Sequence, residues 1–215
     1  MRNTCTSVII NIRFVSRLMN YLELSGTLVG LIYLWLEYRA SVYLWVASLI
    51  MPAIYIVVYY QAGLYADLGI NVYYVLASLY GMIYWTFGHF KKKNQSLENV
   101  SETTAELPIT HTPRRLILPL GVVTGVLTVA IAQVLIHFTD SNVPWADSFT
   151  TALSIVAMWM LAKKYAEQWL AWIAVDAVCA VLYIYKALYF TSALYLLYTL
   201  IAYFGYLKWK QLIKN

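Results

Sequence analysis

Trp169, Trp172 and Asp176 share one apolar stretch, "EQWLAWIAVDAVCAVLYIY" at 167–185, and they carry the chemistry legible in this chain. At 100° per residue a helix places them at about 0°, 300° and 340° around its axis, a stripe narrower than a quadrant. Two indole faces beside one carboxylate form a receptor for a flat organic cation. Each cation–π contact contributes about 0.5–2 kcal/mol, and the carboxylate adds a charge-assisted hydrogen bond. A carboxylate at the bilayer centre costs roughly 2.5–3.5 kcal/mol even on a lenient insertion scale, so Asp176 is expected to face an aqueous cavity or a partner. The plainer alternatives are a structural pairing of Asp176 with Lys186 or a tyrosine hydroxyl, and interfacial anchoring by Trp169. Tyr55, Tyr59, Tyr183, Tyr198 and Asn71 join the site candidates by position alone.

The elements that must hold this stripe follow from composition. The chain has 215 residues, 62% hydrophobic and 12% charged, about half the charged fraction of an ordinary soluble domain. A membrane protein is the economical reading. The net charge of +5 then reflects topology and not a nucleic-acid partner. Cys5 and Cys179 stand at no redox or metal spacing, and His89, His111 and His137 are scattered, so neither a metal nor a cofactor is expected. Apolar runs of roughly 17–25 residues cross the hydrocarbon, and seven are present, near 22–38, 42–60, 69–88, 115–138, 147–162, 168–186 and 191–209. Residues 1–21, interrupted by Arg13 and Arg17, predict an N-terminal interfacial segment and not a signal peptide. Residues 91–114 form a polar linker flanked by basic clusters.

Counting Lys and Arg gives about four on the N-terminal side and about eleven on the other. The loops carrying Asp67, Asp140 and Asp147 hold no basic residue. The N-terminus is therefore expected outside and the C-terminus in the cytoplasm. A shift of about 124 residues superposes the halves: Trp35 on Trp159, Trp45 on Trp169, Tyr59 on Tyr183, Tyr74 on Tyr198, Gly81 on Gly205 and Trp85 on Trp209. The expected fold is an all-α membrane protein of seven transmembrane helices. Two parallel three-helix repeats, 22–90 and 147–209, are joined by the connecting helix 115–138 in a three-plus-one-plus-three order. Parallel repeats of this kind typify transporters, with the substrate site near the bilayer midplane. Pro52 matches Asp176 and Ser48 matches Trp172, so the polar stripe is built into one copy only.

"WLAWIAVD" at 169–176 resembles the W-x-x-W-x-x-x-N/D signature of the PnuC-type vitamin transporters, as do "QAGLYADLGINVYYVLASLYGMIYW" at 61–85 and "YLLYTLIAYFGYLKW" at 195–209. The resemblance covers nearly the whole chain outside the first 20 residues and the 91–113 linker. It implies a SWEET-like helix arrangement, a homotrimer in the bacterial inner membrane, and facilitated diffusion of nicotinamide riboside, thiamine or riboflavin. Uptake is made directional by a cytoplasmic kinase that phosphorylates the vitamin. The nicotinamide riboside members carry Asn at the last signature position. Asp176 thus points to the thiamine-transporting PnuT branch, with nicotinamide riboside as the alternative and a SWEET-like sugar carrier behind it. An enzyme is not expected, because one Asp without His or Lys beside it is poor catalytic material. No phosphate-binding G-x-x-x-x-G-K-[ST] loop is present.

Overall fold

A computed structural model describes residues 29–62, 65–87, 107–139 and 141–214. Seven helices are formed among them: α1 (Val29–Tyr38), α2 (Tyr43–Ala62), α3 (Tyr65–Phe87), α4 (Arg114–Phe138), α5 (Pro144–Ala162), α6 (Gln168–Tyr185) and α7 (Tyr189–Lys214). They fall where the apolar runs predict them. The interfacial segment expected at 1–21 lies outside the described residues, as does the linker from 91 to 106. Four helices, α4 to α7, are long and apolar enough to cross a membrane. α1 and the described part of α2 are shorter apolar helices, and α3, with 23 residues, reaches about 34 Å at 1.5 Å per residue.

Residues 29–72 form one compact unit and 73–214 another. In the first, α1 turns into α2 through Ala40, whose φ is 53°. The Arg39 guanidinium lies 4.9 Å from the Trp35 ring centroid. In the second, α5 is the most enclosed helix, and its buried positions are largely small: Ser148, Thr150, Ala152, Ser154, Ala157 and Ala162. Small side chains let neighbouring backbones approach closely, which is how helices pack when water supplies no driving force. α4 buries only Ala132 and turns Leu118, Val122, Val126 and Val129 outward, a surface suited to lipid.

The turns before α2 and before α6 have the same construction. Lys164 takes φ 55° at the position that the 124-residue shift assigns to Ala40. Ala40 N–H donates to Glu37 O and Lys164 N–H to Leu161 O, both at 2.8 Å. Ser41 N–H donates to Leu36 O and Tyr165 N–H to Met160 O, both at 3.0 Å. Two of the three matched tryptophan pairs share one fate, with Trp45, Trp169 and Trp209 wholly buried and Trp85 2% exposed, whereas Trp35 is exposed and Trp159 partly so. At these two turns the match between the halves extends from sequence to backbone geometry.

Candidate substrate-binding site

α6 and α7 run antiparallel as a helical hairpin, closed by a tight turn at Ala187 with φ 57°. The predicted stripe lies on α6, and its members have separate surroundings. At the base, Trp169 is wholly enclosed. Its indole meets Trp209 edge to face, centroids 5.8 Å apart and planes at 90°, and Gly205 lies against it so closely that a Cβ there would stand 2.8 Å from Cε2 and Cζ2. Trp169 is thus a packing anchor in this conformation and not an open stacking surface. One turn on, Trp172 is half-buried, and its Nε1 has no hydrogen-bond partner.

Asp176 is 9% exposed. Among the described residues no cation or hydrogen-bond donor is placed on its carboxylate. The pairing with Lys186 weighed above does not form, because Lys186 is turned to Asp147. Hydroxyls and a thiol gather instead around Asp176, since Tyr195, Tyr198 and Cys179 all lie within range of its charge. Tyr195 is the hub, with Tyr183 at 5.1 Å and Tyr198 at 5.8 Å between ring centroids. Thr150 of α5 and Tyr74 of α3 lie close to the Cys179 thiol, and the Thr150 hydroxyl itself donates to Ala146 O at 3.1 Å and to Asp147 O at 3.0 Å. α3 is docked to this unit by the Tyr73 hydroxyl, which donates to Ile155 O at 2.9 Å, and by Trp85 Nε1–H, which donates to Ala162 O at 3.0 Å.

Of the sequence candidates, Asp176, Tyr183 and Tyr198 are brought together, Trp172 lies one turn from Asp176, and Trp169 is held at the base. Tyr55 and Asn71 belong to the 29–72 unit, and the Tyr59 side chain lies outside the described residues. Tyr195, Cys179, Thr150 and Tyr74 were missed. A signal for two of them existed: Cys179 is three residues after Asp176, and Tyr195 three before Tyr198, both one-face spacings on a helix.

The end of the polar linker forms a strap. Thr110 pairs with the α5–α6 turn, its N–H donating to Lys164 O and its carbonyl accepting from Ala166 N–H, both at 3.0 Å. Glu167, the residue before α6, accepts from Thr112 N–H at 2.7 Å and from the Thr112 hydroxyl at 2.8 Å, and pairs with His111 Nδ1 at 2.7 Å. Burial alone would raise the Glu167 carboxyl; the bonds from His111 and Thr112 outweigh it and hold the group below the ordinary carboxylate value of 4.5. With the folded value depressed, the strap's contribution is complete above the unfolded carboxylate range and is lost as pH falls through the folded value. Hydrogen exchange at the Thr110, Thr112 and Ala166 amides is therefore expected to be slow at neutral pH. Protection relative to an unstructured chain at the same pH should fall as the pH drops through the folded carboxylate value in the wild type, and already at neutral pH in Glu167→Ala. Unchanged protection in that variant would remove Glu167 as the clamp.

Four apolar helices of spanning length define a multi-pass membrane protein. Comparison with known proteins sharpens the class: residues 20–211 match the family described as nicotinamide mononucleotide transporter. The chain belongs to that family, and it is a membrane transporter. It is 26% identical over 215 residues to the nicotinamide riboside transporter PnuC of Escherichia coli (strain K12), covering 89% of this chain and 85% of that one. It is also 26% identical over 188 residues to the riboflavin/roseoflavin transporter RibM of Streptomyces davaonensis, covering 87% and 83%. A crystal structure of the vitamin B3 transporter PnuC shares the fold, with a TM-score of 0.61 at 24% identity over 87% of this chain and 80% of that one. The thiamine branch expected from Asp176 finds no support in these three relatives.

Proposed function

We propose that the protein carries a cationic vitamin of the nicotinamide riboside type across the membrane. The observation that carries this reading is Asp176, nine-tenths buried on a spanning helix without a cation of its own. A charge so placed is stable only with a partner, and the pyridinium of nicotinamide riboside supplies one, with Trp172 within reach as a stacking face. The PnuC relative favours nicotinamide riboside over the thiazolium of thiamine. Riboflavin is neutral and would leave the carboxylate uncompensated.

In the proposed cycle the substrate enters between two three-helix bundles in the SWEET-like three-plus-one-plus-three order, meets Asp176, and leaves as the bundles rock. Tyr183, Tyr195 and Tyr198 line its polar side. Tyr55, Tyr59 and Asn71 belong to the same reading by their positions in the sequence alone. Lys163, Lys164 and the strap lie at one end of α6, and Lys208 and Lys210 flank Trp209, the contact of α6's base. That basic gathering supports a cytoplasmic assignment for this end and for the C-terminus, and an outer one for the N-terminus. A homotrimer in the bacterial inner membrane, with trapping by a cytoplasmic vitamin kinase, belongs to the same reading. Uptake into proteoliposomes of labelled nicotinamide riboside, thiamine, riboflavin and a hexose tests it. Saturable uptake is expected for nicotinamide riboside and not for the hexose. A preference for thiamine would restore the other branch, and preference for riboflavin would refute the role given to the charge.

A further inference from the structure

At the end of α6 away from the strap, Lys186 follows the last helical residue and reaches across to α5. Its Nζ lies 3.8 Å from Asp147 Oδ1, with the two side chains 37% and 35% exposed. The other Asp147 oxygen accepts a hydrogen bond from the Ser141 hydroxyl at 2.9 Å, which fixes the carboxylate with Oδ1 toward Lys186. Lys186 is held in turn by the α6–α7 turn, where Leu188 N–H donates to Tyr183 O at 2.8 Å. Counted at 1.5 Å per residue from the α5–α6 turn, Asp147 stands about 10 Å beyond the level of Asp176. Thr150 and Cys179 stand between them, and the thiol lies within range of the charges of Asp176, Asp147 and Lys186. A polar track therefore runs from a half-exposed carboxylate to the buried one. The positions matching Asp147 and Lys186 in the first half are Glu23 and Ala62, so the pair occurs in the same half as Asp176.

A half-exposed pair at this distance is weak and open to competition from another cation. We propose that Asp147 is a way-station for the cationic substrate and Lys186 its placeholder: the arriving cation replaces the Lys186 ammonium at Asp147 before it moves on to Asp176. This deepens the cationic-vitamin reading and rests on it. The negative charge of Asp147 also suits the first turn of α5, and the pair could serve as a brace between two helices. The way-station and the brace differ in sign. Removing the carboxylate weakens capture, whereas removing the lysine frees the carboxylate for substrate. A brace is broken equally by either change.

The test is the concentration dependence of nicotinamide riboside uptake into proteoliposomes for the wild type, Asp147→Asn, Lys186→Met and Asp176→Leu. Asp147→Asn is expected to raise KM about fivefold with Vmax within about twofold, and Lys186→Met to lower KM about twofold, both differences shrinking in about 0.5 M salt. Shifts of KM in the same direction in both variants, or none in either, overturn the way-station. Asp176→Leu separates the two levels of the argument. Uptake that is saturable in the wild type and lost in Asp176→Leu upholds the cationic reading, whatever the other two variants show. Wild-type uptake no greater than that of Asp176→Leu defeats the reading and the way-station together.

Discussion

Replacing Asp176 with leucine is expected to make the protein more stable and unable to hold its substrate. In the empty site the carboxylate is nine-tenths buried, and desolvating an unpaired charge is unfavourable by several kcal/mol. A leucine of similar volume removes that term and adds apolar contact with the α6 surroundings. Binding moves the other way. Truncating one partner of a buried charge pair costs about 2–5 kcal/mol, or roughly two to three orders of magnitude in Kd. Calorimetry with nicotinamide riboside, alongside thermal unfolding in the same detergent, reads both quantities. Asp176→Asn separates charge from hydrogen bonding: it keeps the amide that the resembling nicotinamide riboside transporters carry, so its loss of affinity is expected to be smaller than leucine's. A fall in stability in Asp176→Leu would mean that the carboxylate has a structural partner, and the site assignment would lose its main support.

The second large effect belongs to Gly205. A helix interior ordinarily gains about 1 kcal/mol from a Gly→Ala change, and here the sign is expected to reverse. The added methyl would lie 2.8 Å from Cε2 and Cζ2 and 2.9 Å from Cδ2 of Trp169, inside contact distance of three atoms of a rigid ring. That ring is wholly buried and pinned by Trp209, so it cannot swing away as a flexible side chain would. Overpacking of this kind costs about 1–3 kcal/mol. Gly205→Ala should lower the unfolding temperature, and Trp169→Leu in the same chain should return part of the loss, a coupling that a double-mutant cycle measures directly. If Gly205→Ala were neutral, the α6–α7 contact would have to be looser than described.

The helices were legible because each apolar run is bounded by charges, prolines or a polar loop, and helix length is set by bilayer thickness. The internal repeat was legible because Trp and Gly are rare enough in apolar sequence to mark register. The role of Trp169 was not legible. Its angle on α6 places it in the stripe of Asp176, but what covers it, Gly205 and Trp209, lies some 36 to 40 residues away in sequence, and helical periodicity on one element carries no information about the facing one. The strap was missed for a related reason. "PITHT" reads as linker composition, and only the folded chain shows that Glu167 can satisfy a hydroxyl, an amide and an imidazole at once. The thiamine branch was favoured from a single position, Asp176 where the nicotinamide riboside members have Asn, and the similarity of the rest of the chain supports the nicotinamide riboside alternative better.

The two halves share the turn built at Ala40 and at Lys164 and the buried tryptophans Trp45, Trp85, Trp169 and Trp209, yet Pro52 stands inside α2 where α6 has Asp176. Duplication has been kept for the frame and abandoned for the chemistry. Each polypeptide therefore offers one charged socket and not two equivalent ones. On the proposed reading, one substrate molecule per chain is expected at Asp176, whatever number of subunits stand together in the membrane.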